Sequence, residues 1–360
     1  MLIDRVGQGS LGAIARFRQL RSSSLDRTLR IMTRLIGIVA LLSLICSATP
    51  IEPQPTGELI SVGSRKLHIH CTGAGAPTVV VENGGAAFSF DWELVQPQVA
   101  RFTRICTYDR AGYAWSDTGP EFDTFDQATH DLHVLLTNAG VHGPYVLVGH
   151  SLGGMLARFF QAKYRREVVG VVLVDSSHEE SLQHVGLKVV RIPELTAKQF
   201  RNLIDEAKAN RPKNPEPDLV PATIFPPYNK LPTEYQTLHL WALKKALPLV
   251  KTWGGNLQFD LSRLHQMRVA TPHPLGDIPL AVLTAATFDV LQAPGITSEE
   301  ARQDHLRLQT DLTQLSTNSR QIMVSSSGHE VYLYQPQVVI HAIAAVVNSA
   351  KLHSHLPPVE

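Results

Sequence analysis

The clearest indication of the fold of this 360-residue chain is the segment Tyr145-Val-Leu-Val-Gly-His-Ser-Leu-Gly-Gly154. Its first part, Tyr145 to Val148, is an apolar run of the length of a buried strand, and Met155 to Tyr164 has the pattern of an apolar helix. Between them, residues 149–153 form the pattern G-x-S-x-G, in which a serine stands on a turn so sharp that only glycine can flank it. The stretch therefore predicts a strand, a nucleophile elbow and a helix, with Ser151 as the nucleophile.

Apolar, β-branched runs on both sides of this stretch predict further strands. They are expected as a hairpin over residues 59–71 and as single strands over 78–82, 102–108, 168–174, 280–284 and 321–325. Helical patterns lie between several of them, for example over Thr124–Ala139, and a closing helix is expected over 335–350. Strands that alternate with helices predict a mostly parallel sheet covered by helices on both faces.

Residues 176–276 interrupt this alternation with helical, charged segments that are separated by prolines. An insertion between two sheet strands is expected to sit over the carboxyl ends of the strands, where ligands bind in open α/β sheets. We therefore divide the folded part into a core formed by 57–175 and 277–350, a helical cap over 176–276, and a short tail over 351–360.

Residues 1–56 are expected to form a leader that precedes the folded core. An uncharged, mostly apolar run over 35–48 follows an arginine-rich stretch, and prolines separate the run from the core. The run is short for a membrane span, which needs about 20 residues, but it suits the apolar part of a secretory signal. We expect the protein to be exported to the periplasm or the medium, or anchored to the membrane by this segment. A buried core helix is the alternative, and a start at Met32 would give a signal of ordinary length.

The charges of the chain nearly cancel, with 33 Lys and Arg against 32 Asp and Glu. No basic field is available to attract nucleic acid, and no acidic excess indicates disorder. His68 and His70 share one face of a predicted strand, but a metal site needs a third ligand nearby. Two surface histidines are the favoured interpretation.

Over roughly residues 57–349 the chain resembles the α/β-hydrolase superfamily, and it is most similar to bacterial α/β fold hydrolases. The phrases that carry the resemblance are Leu67-His-Ile-His-Cys-Thr-Gly73, Tyr108-Asp-Arg-Ala-Gly-Tyr113 and Val148-Gly-His-Ser-Leu-Gly-Gly154. The resemblance implies an α/β-hydrolase fold with a mostly parallel sheet of about eight strands and the chain order nucleophile, acid, histidine.

His329, in Ser327-Gly-His329, follows the last predicted strand and matches the family histidine. As a general base it would take the proton of Ser151 and later protonate the leaving group. For the acid, the family usually uses the position of Asp289, but alanines replace the usual glycine of that turn. Asp175 occupies the alternative position in Asp175-Ser-Ser-His178, and it is favoured because its strand holds it rigidly.

The resemblance also implies an oxyanion hole formed by two backbone N–H groups. The donors are expected from Leu152, directly after the nucleophile, and from Gly85 in Asn83-Gly-Gly-Ala86, where Asn83-Gly84 replaces a family His-Gly pair. Asp109 and Arg110 are expected to organise the neighbouring loop. The family strand order places Cys71 beside Cys106, so a disulfide is expected in the exported protein.

The implied activity is hydrolysis of a small-molecule carboxylic ester through a serine acyl-enzyme, with no metal or organic cofactor. Amide hydrolysis, C–C hydrolysis and acyl transfer use the same machinery and stay open. Two interpretations from other functional classes compete with that of a hydrolase. A non-catalytic ligand-binding protein would lack an acid that reaches His329, and a surface interaction module would turn over no activated ester.

Overall fold

A computed structural model describes residues 52–119, 124–185, 188–210, 221, 223–250, 257–287 and 297–357 of the chain. The apolar run of the expected leader, 35–48, and one of the two candidate acids, Asp289, lie outside these residues. Within them, no helix is both long and apolar enough to cross a membrane.

The strands of the described residues are β1 (Glu58–Val62), β2 (Arg65–Thr72), β3 (Thr78–Glu82), β4 (Ile105–Tyr108), β5 (Tyr145–His150), β6 (Val168–Val174), β7 (Gln183–Val185), β8 (Lys188–Val190), β9 (Leu280–Ala285) and β10 (Ser319–Val324). Eight of them form one sheet in the order β1-β2-β4-β3-β5-β6-β9-β10. The pairs β1–β2 and β2–β4 are antiparallel, and the other five neighbouring pairs are parallel. The expected mostly parallel sheet with an antiparallel edge is thus confirmed.

The helices of the described residues are α1 (Gln96–Val99), α2 (Phe125–Asn138), α3 (Leu152–Lys163), α4 (Ala197–Ala209), α5 (Thr233–Val250), α6 (Leu257–Ala270), α7 (Ser298–Leu312), α8 (Val331–Tyr334) and α9 (Pro336–Leu352). The expected helix over Thr124–Ala139 corresponds to α2, which Thr124 caps by accepting the N–H of Gln127. Its side-chain oxygen thereby satisfies one of the N–H groups that a helix start leaves unpaired.

The side chains of β5 show why its sequence is apolar at successive positions. Val146 and Val148 pack in the same cluster as Ile343 of α9, on one face of the sheet. Leu147 points to the other face, where it packs in a cluster with Leu132 of α2 and Phe160 of α3. Because successive strand residues face opposite sides, a strand buried on both faces needs apolar residues throughout.

The chain between β6 and β9 holds α4, α5 and α6, together with an antiparallel pair formed by β7 and β8. The segment that was expected to be helical thus also contains a short strand pair, because strands of three residues are too short to show an alternating pattern in the sequence. Leu243 of α5 packs in a cluster with Phe88, which follows β3, and Leu264 of α6 packs in a cluster with Phe159 of α3. The segment therefore contacts both the loop after β3 and the helix after β5.

Parallel strands bring their carboxyl ends to one edge of the sheet. Asn83 follows β3, Ser151 follows β5, and Asp175 follows β6, and these three strands are neighbours through β5. Ligands bind at this edge in open α/β sheets. The sheet thus brings Asn83, Ser151 and Asp175 to the same edge.

Candidate active site

Ser151 lies on a strained turn between β5 and α3. Its backbone has φ 53° and ψ −124°, a conformation that side-chain-bearing residues rarely adopt. A Cβ at Gly149 would lie 2.5 Å from the Cα of Gly154, and a Cβ at Gly153 would lie 2.0 Å from the carbonyl oxygen of Glu82. Only glycine fits at both positions, so the packing explains why the elbow pattern has glycine on both sides of the serine.

His329 lies in the loop that follows β10, and its backbone carbonyl binds the elbow. Nε2 of His150 lies 3.0 Å from the carbonyl oxygen of His329, and the two ring centroids are 4.6 Å apart. Burial, followed by the proximity of His329, lowers the pKa of His150 to about 3. His150 is therefore neutral, and its Nε2–H donates to the carbonyl. This bond places His329 beside the residue that precedes Ser151.

Asp175 lies under His329, with its carboxylate buried at the end of β6. Its Oδ2 lies 2.7 Å from Nδ1 of His329, and its backbone adopts φ 41°. Burial alone would raise the pKa of this carboxyl, but hydrogen bonds from His305 and His329 outweigh burial and lower it well below its usual range. Asp175 is therefore a carboxylate at neutral pH and can only accept hydrogen bonds.

The same contact changes the titration of His329. Partial burial lowers the pKa of an imidazole, but the hydrogen bond and the negative charge of Asp175 outweigh it, so the pKa of His329 is raised from 6.5. Because Nδ1 donates to Asp175, Nε2 is the nitrogen left to accept a proton. Of the two candidate acids, Asp175 is the one that contacts His329 within the described residues, and Asp289 lies outside them.

The loop after β3 lies against the elbow. A Cβ on Gly84 would lie 2.7 Å from Nδ1 of His150 and 3.3 Å from Cβ of Ser151, so the loop backbone packs closely against the elbow. Gly85 is exposed, with no atom within 4 Å of a Cβ placed there, and Leu152 is the first residue of α3. Both expected oxyanion donors are thus placed on the two segments that border Ser151.

Arg110 holds this loop in place. Its guanidinium donates to the carbonyl oxygen of Asn83 at 2.6 Å and also to that of Gly84. The Asn83 side chain donates to the carbonyl of Tyr108 at 2.8 Å and accepts from the Trp92 indole at 2.7 Å. Arg110 therefore organises the loop, as expected, and the Asn83 side chain uses both its amide nitrogen and its amide oxygen in hydrogen bonds.

The expectation of a surface position was wrong for His68. Its side chain is completely buried, and its Nδ1 lies 2.8 Å from Oδ2 of Asp109, which also accepts from the Ser89 hydroxyl at 3.0 Å. Asp109 follows β4, which neighbours β2, the strand that carries His68. The carboxylate partner of His68 therefore comes from another strand, and the sequence pattern around His68 does not show it. In the part of the chain that the structure describes, no group of three or more His, Cys, Asp or Glu side chains could hold a metal ion.

Two further side chains lie at the site, and neither is among the expected site residues. His305, on α7, places Nε2 at 3.0 Å from Oδ1 of Asp175. The hydroxyl of Ser177 lies 3.5 Å from that of Ser151. No sequence signal marks His305, because a histidine on a helix between two strands resembles any other polar surface residue.

Cys71 and Cys106 form a disulfide. They face each other in the register of the antiparallel pair β2–β4. The pairing is the one that the family strand order implied.

A family model described as "Alpha/beta hydrolase family" matches residues 67–342. The chain is 22% identical over 288 residues to "Uncharacterized protein YbdG" of Bacillus subtilis, covering 79% of this chain and 83% of that one. It is 25% identical over 284 residues to "AB hydrolase superfamily protein" of Gibberella zeae, covering 75% and 86%. Of four other curated relatives, the chain spans only between 17% and 30% of the length.

Among solved structures, a thermophilic esterase from Thermogutta terrifontis superposes with a TM-score of 0.56 and 18% identity, covering 83% of this chain and 99% of that one. At this identity the likeness concerns the fold alone. Together with the family model, it confirms the fold that the sequence motifs implied.

Proposed function

Because this chain belongs to the alpha/beta hydrolase family, we propose that it hydrolyses a small-molecule carboxylic ester through an acyl-enzyme formed on Ser151. The observation that carries the proposal is the 2.7 Å contact between Nδ1 of His329 and the buried carboxylate of Asp175. Through this contact Asp175 serves as the acid partner of His329, a group that a ligand-binding protein of this fold would not need. We choose an ester over other acyl compounds because proteins that share this fold include esterases from Thermogutta terrifontis and Exiguobacterium antarcticum.

In the first half of the reaction, neutral His329 accepts the proton of the Ser151 hydroxyl at Nε2 while the oxygen attacks the carbonyl carbon of the ester. The N–H groups of Leu152 and Gly85 stabilise the resulting oxyanion. When the intermediate collapses, the bond to the alcohol oxygen breaks, and His329 returns the proton to the leaving alcohol.

In the second half, a water molecule gives a proton to His329 and attacks the acyl carbon. The Ser151 oxygen then leaves with that proton, and the carboxylic acid is released. Throughout, Asp175 keeps the proton of the neutral ring on Nδ1 and stabilises the imidazolium that forms in each half. This role requires an ionised carboxylate, which is consistent with the lowered pKa of Asp175.

We further propose that the protein acts outside the cytoplasm, through export or anchoring by its N-terminal segment. The Cys71–Cys106 disulfide supports this location, because structural disulfides persist in oxidising compartments.

The test of the activity is hydrolysis of p-nitrophenyl butyrate by the wild type and by S151A and H329A. Removal of a triad nucleophile or base lowers kcat by roughly 10⁶-fold in a serine hydrolase, so both variants should fall to near the background rate. Turnover that persists unchanged in S151A would contradict the proposal.

A further inference from the structure

The carboxylate of Asp175 has partners on both of its oxygens. Oδ2 accepts from His329, whereas Oδ1 accepts from the backbone N–H of Ala285 at 2.9 Å and from Nε2 of His305 at 3.0 Å. The Asp175 side chain is completely buried and that of His305 is largely buried. Two donors on one oxygen fix the plane of a carboxylate, and this fixes the direction in which the other oxygen points.

The helix that carries His305 is held in place on both sides of this residue. Asp304, the preceding residue, accepts from Arg191 at 2.6 Å. Asp311, nearly two turns later, is paired with Arg268 at 2.9 Å and with His178 at 3.0 Å. The His305 ring is therefore presented to Asp175 by an anchored element, and anchored supports are what hold a reacting group in one geometry.

A second histidine–carboxylate pair lies at the other end of β6. Glu167 precedes β6 and pairs with Nε2 of His133 at 3.0 Å, the same distance as between His305 and Asp175. This pair lies at the amino end of the strand, away from Ser151. Removal of the His133–Glu167 pair therefore shows the effect of losing a histidine–carboxylate contact that contributes only to the fold.

From this geometry we infer that His305 is a positioning residue: its Nε2–H orients the Asp175 carboxylate toward His329. The inference rests on the proposed function, since it assigns a supporting group to the same site. His305 acts through Asp175 and touches no reacting atom. Loss of its N–H leaves Oδ1 with the single donor of Ala285, so the carboxylate can rotate away from Nδ1 of His329.

Three substitutions separate this role from packing. H305Q keeps an amide N–H at about the reach of Nε2, H305N keeps the polarity but is too short to reach Asp175, and H305L fills the space without a donor. The matched control is H133L, which removes the contact with Glu167 at the other end of the strand.

The experiment measures the rate of labelling by a fluorophosphonate, kcat and KM for p-nitrophenyl butyrate, and the unfolding temperature. H305N and H305L should lower both kcat and the labelling rate by about 10- to 100-fold, the size expected for one hydrogen bond to a charged group, with KM unchanged. H305Q should recover most of the loss, and H133L should leave both rates as in the wild type.

Wild-type labelling rates in H305N, or an H305Q variant as slow as H305N, would overturn the inference. The comparison between these two polar variants also stands if H305L fails to fold. A wild-type protein that does not react with the probe would instead contradict the proposed function itself.

Discussion

Oδ2 of Asp175 and Nδ1 of His329 lie 2.7 Å apart although the two residues are 154 positions apart in the chain. Asp175 follows β6, and His329 follows β10, which is separated from β6 in the sheet by β9. The loop after β10 must therefore reach back across one strand to bring the imidazole over the carboxylate. Serine catalysis needs this contact, because it sets the tautomer of the base.

The identity of the acid can be tested by two isosteric substitutions. We expect D175N to lower kcat by about 10⁴-fold, because an amide at this position favours the wrong tautomer of the histidine. We expect D289N to keep nearly full activity. Steady-state kinetics on p-nitrophenyl butyrate measures both, and a large loss in D289N with little change in D175N would reverse the assignment.

The raised pKa of His329 predicts the acidic side of the pH profile. His329 must be neutral to accept a proton, so kcat/KM should fall as the pH drops through its pKa, with a midpoint above 6.5. Removal of the carboxylate charge takes away the main influence that raises this pKa. In D175N the midpoint of the kcat/KM profile should therefore move to lower pH, and the maximal value of kcat/KM should be much lower than in the wild type. A wild-type midpoint below 6.5 would contradict this prediction.

The sequence allowed the elbow and the strand ends to be predicted because both depend on local patterns. Gly149 and Gly153 have no room for a Cβ, and Asp175 directly follows a β-branched apolar run of the length of a buried strand. The contacts of His305 and His68 could not be predicted in this way. Their carboxylate partners, Asp175 and Asp109, come from other elements of the fold, and spacing within one helix or strand does not show which partner the tertiary structure brings near.

Glu82 predicts a dependence of stability on pH. Its side chain is buried at the end of β3, and burial raises its pKa from 4.5 to about 7 against the opposing charge of Arg110 and the hydrogen bond from Tyr108. The folded protein therefore holds a proton that the unfolded chain loses near pH 4.5. The stability that this proton contributes is fully present below pH 4.5 and is lost as the pH rises to about 7.

E82Q cannot lose this proton and can still accept the hydrogen bond from Tyr108. The free energy of unfolding of E82Q minus that of the wild type should increase between pH 4.5 and about 7, by up to about 3 kcal/mol. Urea unfolding at a series of pH values measures the difference. If the free energies of unfolding of E82Q and the wild type instead change with pH in parallel, Glu82 has the same pKa in the folded and the unfolded state, and the prediction is wrong.

The disulfide should stabilise the fold by restricting the unfolded chain. Cys71 and Cys106 are 35 residues apart, and closure of a loop of this length contributes about 3–4 kcal/mol. We expect C71A/C106A to lower the free energy of unfolding by about that amount, as measured by urea unfolding. Alkylation of the exported wild type should detect neither thiol before reduction. Two reactive thiols in that material would contradict the bond and would remove the support that the bond gives to the proposed location.

Whether Ser151 is an activated nucleophile is tested by the reaction of the purified protein with a fluorophosphonate, with the adduct located by mass spectrometry. S177A is the matched control, because the Ser177 hydroxyl lies only 3.5 Å from that of Ser151. We expect one adduct per chain, on Ser151, in the wild type and in S177A, and none in S151A. An adduct on another serine, or a folded wild-type protein that does not react, would show that Ser151 is not an activated nucleophile.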